Sequence, residues 1–132
     1  MLFKAYLVSL AILGVLDGLW LGLVARKFYF GQLAPLLREP FALAPAAGFY
    51  FLYPLGLLVL AIAPGVEAGS WQRSAILGGV AGLLAYGTYN LTNMATLRGW
   101  PAPVSLVDVL WGGALSALTA GGAAFVVLKW WS

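Results

Sequence analysis

The sequence predicts an all-α integral membrane protein built as a four-helix bundle. Hydrophobic residues make up 63% of the 132 residues and charged residues only 8%. The apolar stretches are long enough to cross a bilayer, which takes about 20 residues per helix. Four such stretches in so short a chain leave no polar face with which to cover a soluble core. We therefore expect a single transmembrane domain over residues 1–132.

Short polar or proline-bearing connections set the bounds of the four spans. The first stretch has Lys4 ahead of an apolar run, as a secretory signal does, but it carries Asp17 and Trp20 and outlasts the apolar region of a signal. We interpret it as a retained span. The expected spans lie near residues 2–25, 41–63, 74–96 and 104–128.

The basic residues are typical of membrane flanks. They lie scattered at the segment ends without interleaved aromatic residues, so nucleic acid is not an expected partner. The side that carries the first and third connections, called the Arg98 side, holds Arg26, Lys27, Arg38 and Arg98, against three basic residues on the other side. This small excess favours termini that face outward.

The absence of cysteine and histidine from the sequence excludes several kinds of chemistry for this chain alone. Thiolate catalysis, disulfides, histidine-ligated haem and zinc sites of the usual kind all need those residues. With only four acidic residues, no metal site is predicted. No cofactor is indicated either.

Two aspartates interrupt the apolar stretches in matching contexts. Asp17-Gly-Leu-Trp20 in the first span returns as Asp108-Val-Leu-Trp111 in the fourth. A charged aspartate at the centre of a membrane helix costs about 2.5–3.5 kcal/mol even on lenient scales, so an intramembrane acid is a candidate functional residue by default. Asp17 is the best candidate for a catalytic acid, followed by Asp108, which could instead cap the fourth helix through Ser105-x-x-Asp108.

Tyrosines and asparagines add polar groups to the second and third spans. Tyr50-x-x-Tyr53 matches Tyr86-x-x-Tyr89, so the four spans follow a palindromic order of Asp/Trp, Tyr/Tyr, Tyr/Tyr and Asp/Trp motifs. This order hints at two helix pairs related by a pseudo-two-fold axis. Steps of three or four residues in the third span predict one interior-facing stripe, formed by Gly78, Gly82, Tyr86, Tyr89 and Asn93.

Depth in the membrane places the polar residues in one leaflet. Asp17 lies about 12 Å from the Arg98 side at a rise of about 1.5 Å per residue, and Asp108 and the asparagines lie nearer to that side. We expect a polar, aromatic-lined pocket that opens towards the basic residues there, although asparagines can also simply join helices. The candidate ligand-binding residues are Asp17, Trp20, Tyr50, Tyr53, Tyr86, Tyr89, Asn90, Asn93, Arg98, Asp108 and Trp111.

Small and aromatic residues predict further contacts. Gly14, Gly18 and Gly22 recur every fourth residue, a spacing that lets a neighbouring backbone approach closely in lipid. The partner on this face is either another helix of the chain or a second copy in a homo-oligomer. Aromatic residues at segment ends are typical interfacial anchors, here Phe28, Tyr29, Trp71, Trp130 and Trp131.

Motifs along the whole chain form one set, which comprises the two Asp/Trp pairs, Phe49-Tyr50-x-x-Tyr53, Trp100-Pro and the string Tyr86-Gly-Thr-Tyr89-Asn90-Leu-Thr92-Asn93. This set resembles the bacterial predicted-membrane-protein family catalogued as domain of unknown function 2177. The resemblance implies four helices and a bacterial inner-membrane location, but no activity, cofactor or catalytic residue. In that family aspartate often stands at the position of Asn90, and this departure argues against a strict proton-relay role for position 90.

Three classes of function compete on these observations. In the first, the pocket binds a lipid or other amphiphile, with Asp17, Tyr53 and the asparagines at its polar head and Arg98 facing an anionic group. A desolvated carboxyl group could also act there as a general acid or base, so enzymatic activity stays open. In the second, the protein is a small proton-coupled exporter that works as a dimer and exchanges protons for a cationic substrate. In the third, it is a structural subunit of a membrane complex.

Overall fold

The described part of the chain is helical throughout its regular elements. A computed structural model describes residues 2–37 and 42–130, and no β-strand occurs within these ranges. The all-α class is therefore confirmed. The predicted start of the second span at Phe41, the basic residue Arg38 and the anchor Trp131 lie outside the described residues.

The first helical stretch ends in a short helix that was not predicted. α1 covers Leu2–Leu19 and continues as a wider π-helical turn over Trp20–Val24. The backbone leaves helical geometry at Ala25, with φ −111° and ψ 9°, and α2 follows at once over Arg26–Leu33. A 3-10 turn over Ala34–Leu36 ends this part of the chain.

Three further long helical stretches lie within described residues 42–130. α3 (Leu43–Leu57) passes through a π-helical turn over Leu58–Ile62 into the short α4 (Ala63–Glu67). α5 (Trp71–Thr96) and α6 (Ala102–Trp130) are uninterrupted α-helices. Four long stretches therefore lie close to the four predicted spans.

Three of these stretches are candidate membrane spans. Within the described residues, Leu2–Val24, Leu43–Glu67 and Ala102–Trp130 are long and apolar enough to cross a bilayer. α5 has the length, but tyrosine, threonine and asparagine residues fill its second half. The protein is thus an all-helical membrane protein with three candidate spans, and the four-span bundle stays a prediction.

α5 and α6 form a close antiparallel pair through their glycines. A Cβ added at Gly78 would lie 2.6 Å from the carbonyl oxygen of Ser116, and one added at Gly82 would overlap the backbone of Gly112. Only small residues allow two helix backbones to approach this closely. Because the numbers rise on α5 as they fall on α6, the two helices run in opposite directions.

The interior stripe of α5 ends differently from the predicted one. Gly78 and Gly82 are buried and Tyr86 is half-buried, as expected. Tyr89, however, is 55% exposed, whereas Asn90 is fully buried. Helix contacts follow rows of residues four apart, so the row passes from Tyr86 to Asn90 rather than to Tyr89.

The glycine face of α1 has no tight neighbour among the described residues. A Cβ added at Gly14, Gly18 or Gly22 would meet no atom within 4 Å. A close contact with another described helix of the same chain is therefore excluded for this face. A contact with a second copy stays a prediction.

Candidate functional site

Asp17 lies in the interior with both carboxylate oxygens occupied by neutral donors. The residue is only 5% exposed. Tyr50 Oη of α3 donates to Oδ2 at 2.5 Å, and Trp111 Nε1 of α6 donates to Oδ1 at 3.0 Å. One carboxylate therefore joins three helices.

Asp108 is held in the same way near the start of α6. Asn90 Nδ2 of α5 donates to Oδ2 at 2.7 Å, and Tyr29 Oη of α2 donates to Oδ1 at 3.1 Å. The nearby Ser105 donates its hydroxyl to the carbonyl of Pro101. The carboxylate of Asp108 thus bonds to side chains of two other elements, and the Ser105 hydroxyl bonds to a carbonyl instead of capping the helix start.

The two Asp/Trp motifs contact each other through their tryptophans. Trp111 of the second motif bonds to Asp17 of the first. Trp20 Nε1 of the first motif donates at 3.3 Å to Tyr29 Oη, which in turn donates to Asp108. The rings of Trp20 and Trp111 stack with centroids 4.4 Å apart and planes inclined by 9°. The repeated motif thus marks two halves of one cluster.

The tyrosine motifs also meet each other, next to this cluster. The rings of Tyr53 and Tyr86 make an edge contact with centroids 6.0 Å apart. Tyr53 Oη and Ser116 Oγ lie 2.5 Å apart, and either can be the donor. Gly112 provides the space for the Tyr86 ring, because a Cβ there would overlap it.

No positively charged side chain bonds to either carboxylate within the described residues. The donors to Asp17 and Asp108 are hydroxyl, indole and amide groups, while Arg26, Lys27 and Arg98 are exposed. The two carboxylates also interact electrostatically with each other. An ion taken out of water is costly without an opposite charge, so the cluster is suited to hold a proton or to attract a positively charged group.

Tyr29, which donates to Asp108, stays protonated in this setting. Its burial, reinforced by the negative charge of Asp108, raises the pKa of its hydroxyl well above the ordinary value. The hydroxyl therefore remains available as a hydrogen-bond donor at physiological pH.

Most of the predicted site residues lie together in the structure. Those joined by hydrogen bonds or ring stacking are Asp17, Trp20, Tyr50, Asn90, Asp108 and Trp111. Tyr53 and Tyr86 lie beside them. Tyr89, Asn93 and Arg98 make no hydrogen bond to this group within the described part of the chain. We call the six joined residues together with Tyr29 the carboxylate cluster.

Sequence reasoning missed two members of the site region. The expectation that Tyr29 is an interfacial anchor was wrong, because it is 6% exposed and packs with Ala25 and Val104. Trp100 Nε1 donates to Asn90 Oδ1 at 3.3 Å. Neither residue lies inside a predicted span, so depth in the membrane gave no signal for them.

Tyr29→Phe should weaken the protein measurably. Phenylalanine keeps the ring but removes the donor to Asp108, and leaving a buried polar group without its partner costs about 1–3 kcal/mol. We expect a lower midpoint of thermal unfolding in detergent, followed by circular dichroism. The control is Tyr89→Phe at an exposed position, which should leave the midpoint unchanged. Equal midpoints for the two variants would mean that the bond between Tyr29 and Asp108 contributes nothing to stability.

An apolar groove opens beside the carboxylate cluster. Its volume is about 270 Å³. At one end, the ring of Phe49 makes an edge contact with the ring of Tyr50, the donor to Asp17, with centroids 5.2 Å apart. The lining residues are Phe49, Leu52, Tyr53, Gly56, Leu57, Leu60, Ala81 and Ala85. A hydrocarbon chain in this groove would therefore end close to the carboxylate.

The carboxylate cluster offers few ligands for a metal. Among the described residues, no group of three or more His, Cys, Asp or Glu side chains could hold an ion. The chemistry available to the site is thus hydrogen bonding, proton transfer and charge attraction by its two carboxylates.

Comparison with known proteins places the chain in a family. The family model described as "Predicted membrane protein (DUF2177)" matches residues 2–125. No curated protein and no solved structure matches the chain. The matched range includes both Asp/Trp motifs, both tyrosine motifs and Asn90. The chain therefore belongs to the DUF2177 family of predicted membrane proteins.

Proposed function

We propose that this protein crosses the membrane four times and binds an amphiphile, with the polar group at the carboxylate cluster and the hydrocarbon part in the groove beside α3. The observation that carries the proposal is the pair of carboxylates, the buried Asp17 and the half-buried Asp108, whose hydrogen-bond donors among the described residues are all neutral. We place the protein in the bacterial inner membrane, as its family resemblance implies.

The fourth span in this proposal is α5. Its 26 residues correspond to about 39 Å at the usual helical rise, more than the hydrocarbon thickness of about 30 Å. It packs antiparallel along α6, which is itself a candidate span. In the polar second half of α5, Asn90 faces inward and bonds to Asp108 and to the carbonyl of Tyr86, so this amide is not exposed to lipid.

A ligand-binding role explains the free-energy cost of placing two carboxylates inside the helix bundle better than a structural role does. Replacing buried charged groups by well-packed apolar residues is often neutral or stabilising. A bundle that needed only stability would therefore gain little from Asp17 and Asp108. Intramembrane acids are instead typical of sites for substrates, ions or protons.

The groove supports an amphiphile as the ligand. Its volume of about 270 Å³ lies just below the range of about 300–1,000 Å³ of ordinary small-molecule sites, which suits one hydrocarbon chain. Tyr50 is only half-buried, and it contacts both Phe49 of the groove and Asp17. A head group with an N–H or O–H donor can take the place of the Tyr50 hydroxyl at the carboxylate.

Native mass spectrometry with lipid extraction tests this proposal. Gently solubilised wild type should carry a defined small molecule, and Asp17→Asn should lose it, because the amide has one acceptor oxygen, whereas Trp111 and the head group need one each. The control is Glu67→Gln, which makes the same chemical change at an exposed acid and should keep the molecule. Wild type that carries nothing beyond bulk lipid, or Asp17→Asn that carries the same molecule, would contradict the proposal.

A small proton-coupled exporter is the second candidate. It is supported by two carboxylates whose hydrogen-bond donors among the described residues are all neutral, since a proton and a cation can compete for such a pair. In that case a pH gradient should drive uptake of a cationic dye into vesicles that contain wild type. Uptake that is unchanged in Asp17→Asn would show that Asp17 has no part in transport.

A further inference from the structure

The donors around Asp108 show that its carboxyl group accepts hydrogen bonds at both oxygens. Asn90 Nδ2 bonds to Oδ2, and an amide nitrogen can only donate. Tyr29 Oη accepts from the indole of Trp20, which is also a donor only, and directs its own proton to Oδ1 of Asp108. A carboxyl group that accepts at both oxygens is in the ionised form.

Asp17 has the same pattern of acceptors. Trp111 Nε1 donates to its Oδ1 and Tyr50 Oη to its Oδ2. The two carboxylates thus bring two negative charges into the cluster, while their donors among the described residues are all neutral. An ion taken out of water needs an opposite charge close by. The head group that best complements this cluster is therefore a cation with N–H donors.

Four aromatic rings contact one another where the groove meets Asp17. The ring of Tyr50 touches that of Phe49 edge-on, and Phe49 stacks with Tyr53 at a centroid distance of 5.3 Å. Tyr53 in turn makes an edge contact with Tyr86. The faces of such rings are negative, and a cation within about 6 Å of a ring centroid is attracted to it. This end of the groove therefore also favours a positive charge.

An anionic head group finds no such complement at the cluster. Arg26, Lys27 and Arg98 are exposed, and within the described part of the chain none of them donates to either carboxylate. A fatty acid or a phosphate would add a further negative charge beside two that are already there, and like charges repel. The charge pattern thus disfavours anionic amphiphiles.

The groove extends from this end along α3 and the π-helical turn that follows it. Phe49 and Leu60 both line it and are eleven residues apart, which corresponds to about 16 Å at the usual helical rise. Leu52 and Leu60 are exposed on a stretch that is itself a candidate membrane span. A single hydrocarbon chain can therefore enter the groove sideways from the bilayer.

We propose that the amphiphile is a single-chain primary amine whose protonated head group binds Asp17. The inference rests on the amphiphile binding proposed above and names the chemical class of its ligand. The ammonium group takes the place of the Tyr50 hydroxyl at Oδ2 of Asp17, while Trp111 keeps its bond to Oδ1. Asp108 adds the second negative charge of the cluster. No covalent bond is formed or broken in this binding.

A series of head groups on one chain tests the ligand class. Dodecylamine, dodecanol and dodecanoate share the hydrocarbon chain and differ only in the head group. Their binding to delipidated wild type in a nonionic detergent at neutral pH is measured by isothermal titration calorimetry. Dodecylamine should bind at least about tenfold more tightly than dodecanol, because the attraction of opposite charges adds to the hydrogen bond. Dodecanoate should bind most weakly.

Three variants determine whether this preference arises at Asp17. Asp17→Asn removes the charge and should bind amine and alcohol with equal, weak affinity. Tyr50→Phe keeps the ring but removes the hydroxyl that competes for Oδ2, so dodecylamine should bind to it more tightly than to wild type. The control is Glu67→Gln at an exposed acid, which should keep the wild-type preference.

Three results would overturn the amine as the ligand class. They are equal binding of dodecylamine and dodecanol to wild type, tighter binding of dodecanoate, and a folded Asp17→Asn that keeps the preference. If Asp17→Asn does not fold, Tyr50→Phe takes its place, and a lowered affinity for dodecylamine would contradict the position of the head group. If none of the three probes binds, the amine is wrong, and the lipid extraction described above decides amphiphile binding separately.

Discussion

Asp17→Ala is expected to destabilise the whole protein and not only its site. Without the carboxylate, Tyr50 Oη and Trp111 Nε1 lose their acceptors. Each buried donor left unpaired costs about 1–3 kcal/mol, against a total stability of about 5–15 kcal/mol for a typical domain. We therefore expect a large fall in the midpoint of thermal unfolding in detergent, measured by circular dichroism.

Two further variants calibrate this result. Glu67→Ala removes an exposed acid at the end of α4 and should leave the midpoint unchanged. Asp17→Asn should lie between wild type and Asp17→Ala, because its amide oxygen still accepts one of the two hydrogen bonds. A midpoint of Asp17→Ala equal to that of wild type would show that Tyr50 and Trp111 do not depend on this carboxylate.

Asn90→Leu is expected to have the second large effect. Asn90 Nδ2 donates to Asp108 Oδ2 at 2.7 Å and to the carbonyl of Tyr86 at 2.9 Å. Its Oδ1 accepts from Trp100 Nε1 at 3.3 Å. Hydrogen bonds to charged groups contribute about 1.5–3 kcal/mol each, and leucine also leaves the Trp100 donor without its acceptor. A strongly lowered midpoint of thermal unfolding should follow.

The matched control for this variant lies three residues further along the same helix. Asn93 is partly buried, and its side chain makes no hydrogen bond within the described residues. Asn93→Leu should therefore change the midpoint little. Equal losses for the two leucine variants would mean that the polarity of α5, and not the bonds of Asn90, determines the stability.

Much of the site could be predicted because position along a membrane helix fixes depth. Asp17, Asp108 and Asn90 fall at similar depths when the four stretches are placed side by side. The structure connects Asp17 to Asp108 and Asn90 through the stacked rings of Trp20 and Trp111 and through Tyr29. The repeated Asp/Trp motif marked the two helices that contribute the carboxylates. Depth does not say which side chain bonds to which, because that depends on the rotation of each helix about its own axis.

The wrong predictions for Tyr89 and Tyr29 also arose because depth along a helix does not determine tertiary contacts. Tyr89 and Asn90 are neighbours in the sequence but point about 100° apart on a helix of 3.6 residues per turn, and the contact row of α5 includes only Asn90. Tyr29 lies on α2, which has eight residues. Isolated helices this short are marginal in water, so α2 depends on packing against Val104, a tertiary contact that no local pattern indicates.

The glycine face of α1 shows a further gap between pattern and structure. Gly14, Gly18 and Gly22 have the spacing of a helix contact, yet the close contacts in the structure belong to Gly78 and Gly112 instead. Spacing alone identifies a surface on which a close approach is allowed. It does not identify the surface that is used within one chain.

The central claim is that the carboxylates of Asp17 and Asp108 bind the polar group of an amphiphile, and a binding titration tests it most directly. The molecule extracted from wild type is added back to delipidated protein, and binding is followed by tryptophan fluorescence, to which Trp20 and Trp111 beside the carboxylates contribute. The account predicts saturable binding by wild type and at least about tenfold weaker binding by Asp17→Asn, since tenfold corresponds to about 1.4 kcal/mol, near the lower limit for a hydrogen bond to a charged group. Equal affinities in the two proteins would contradict it.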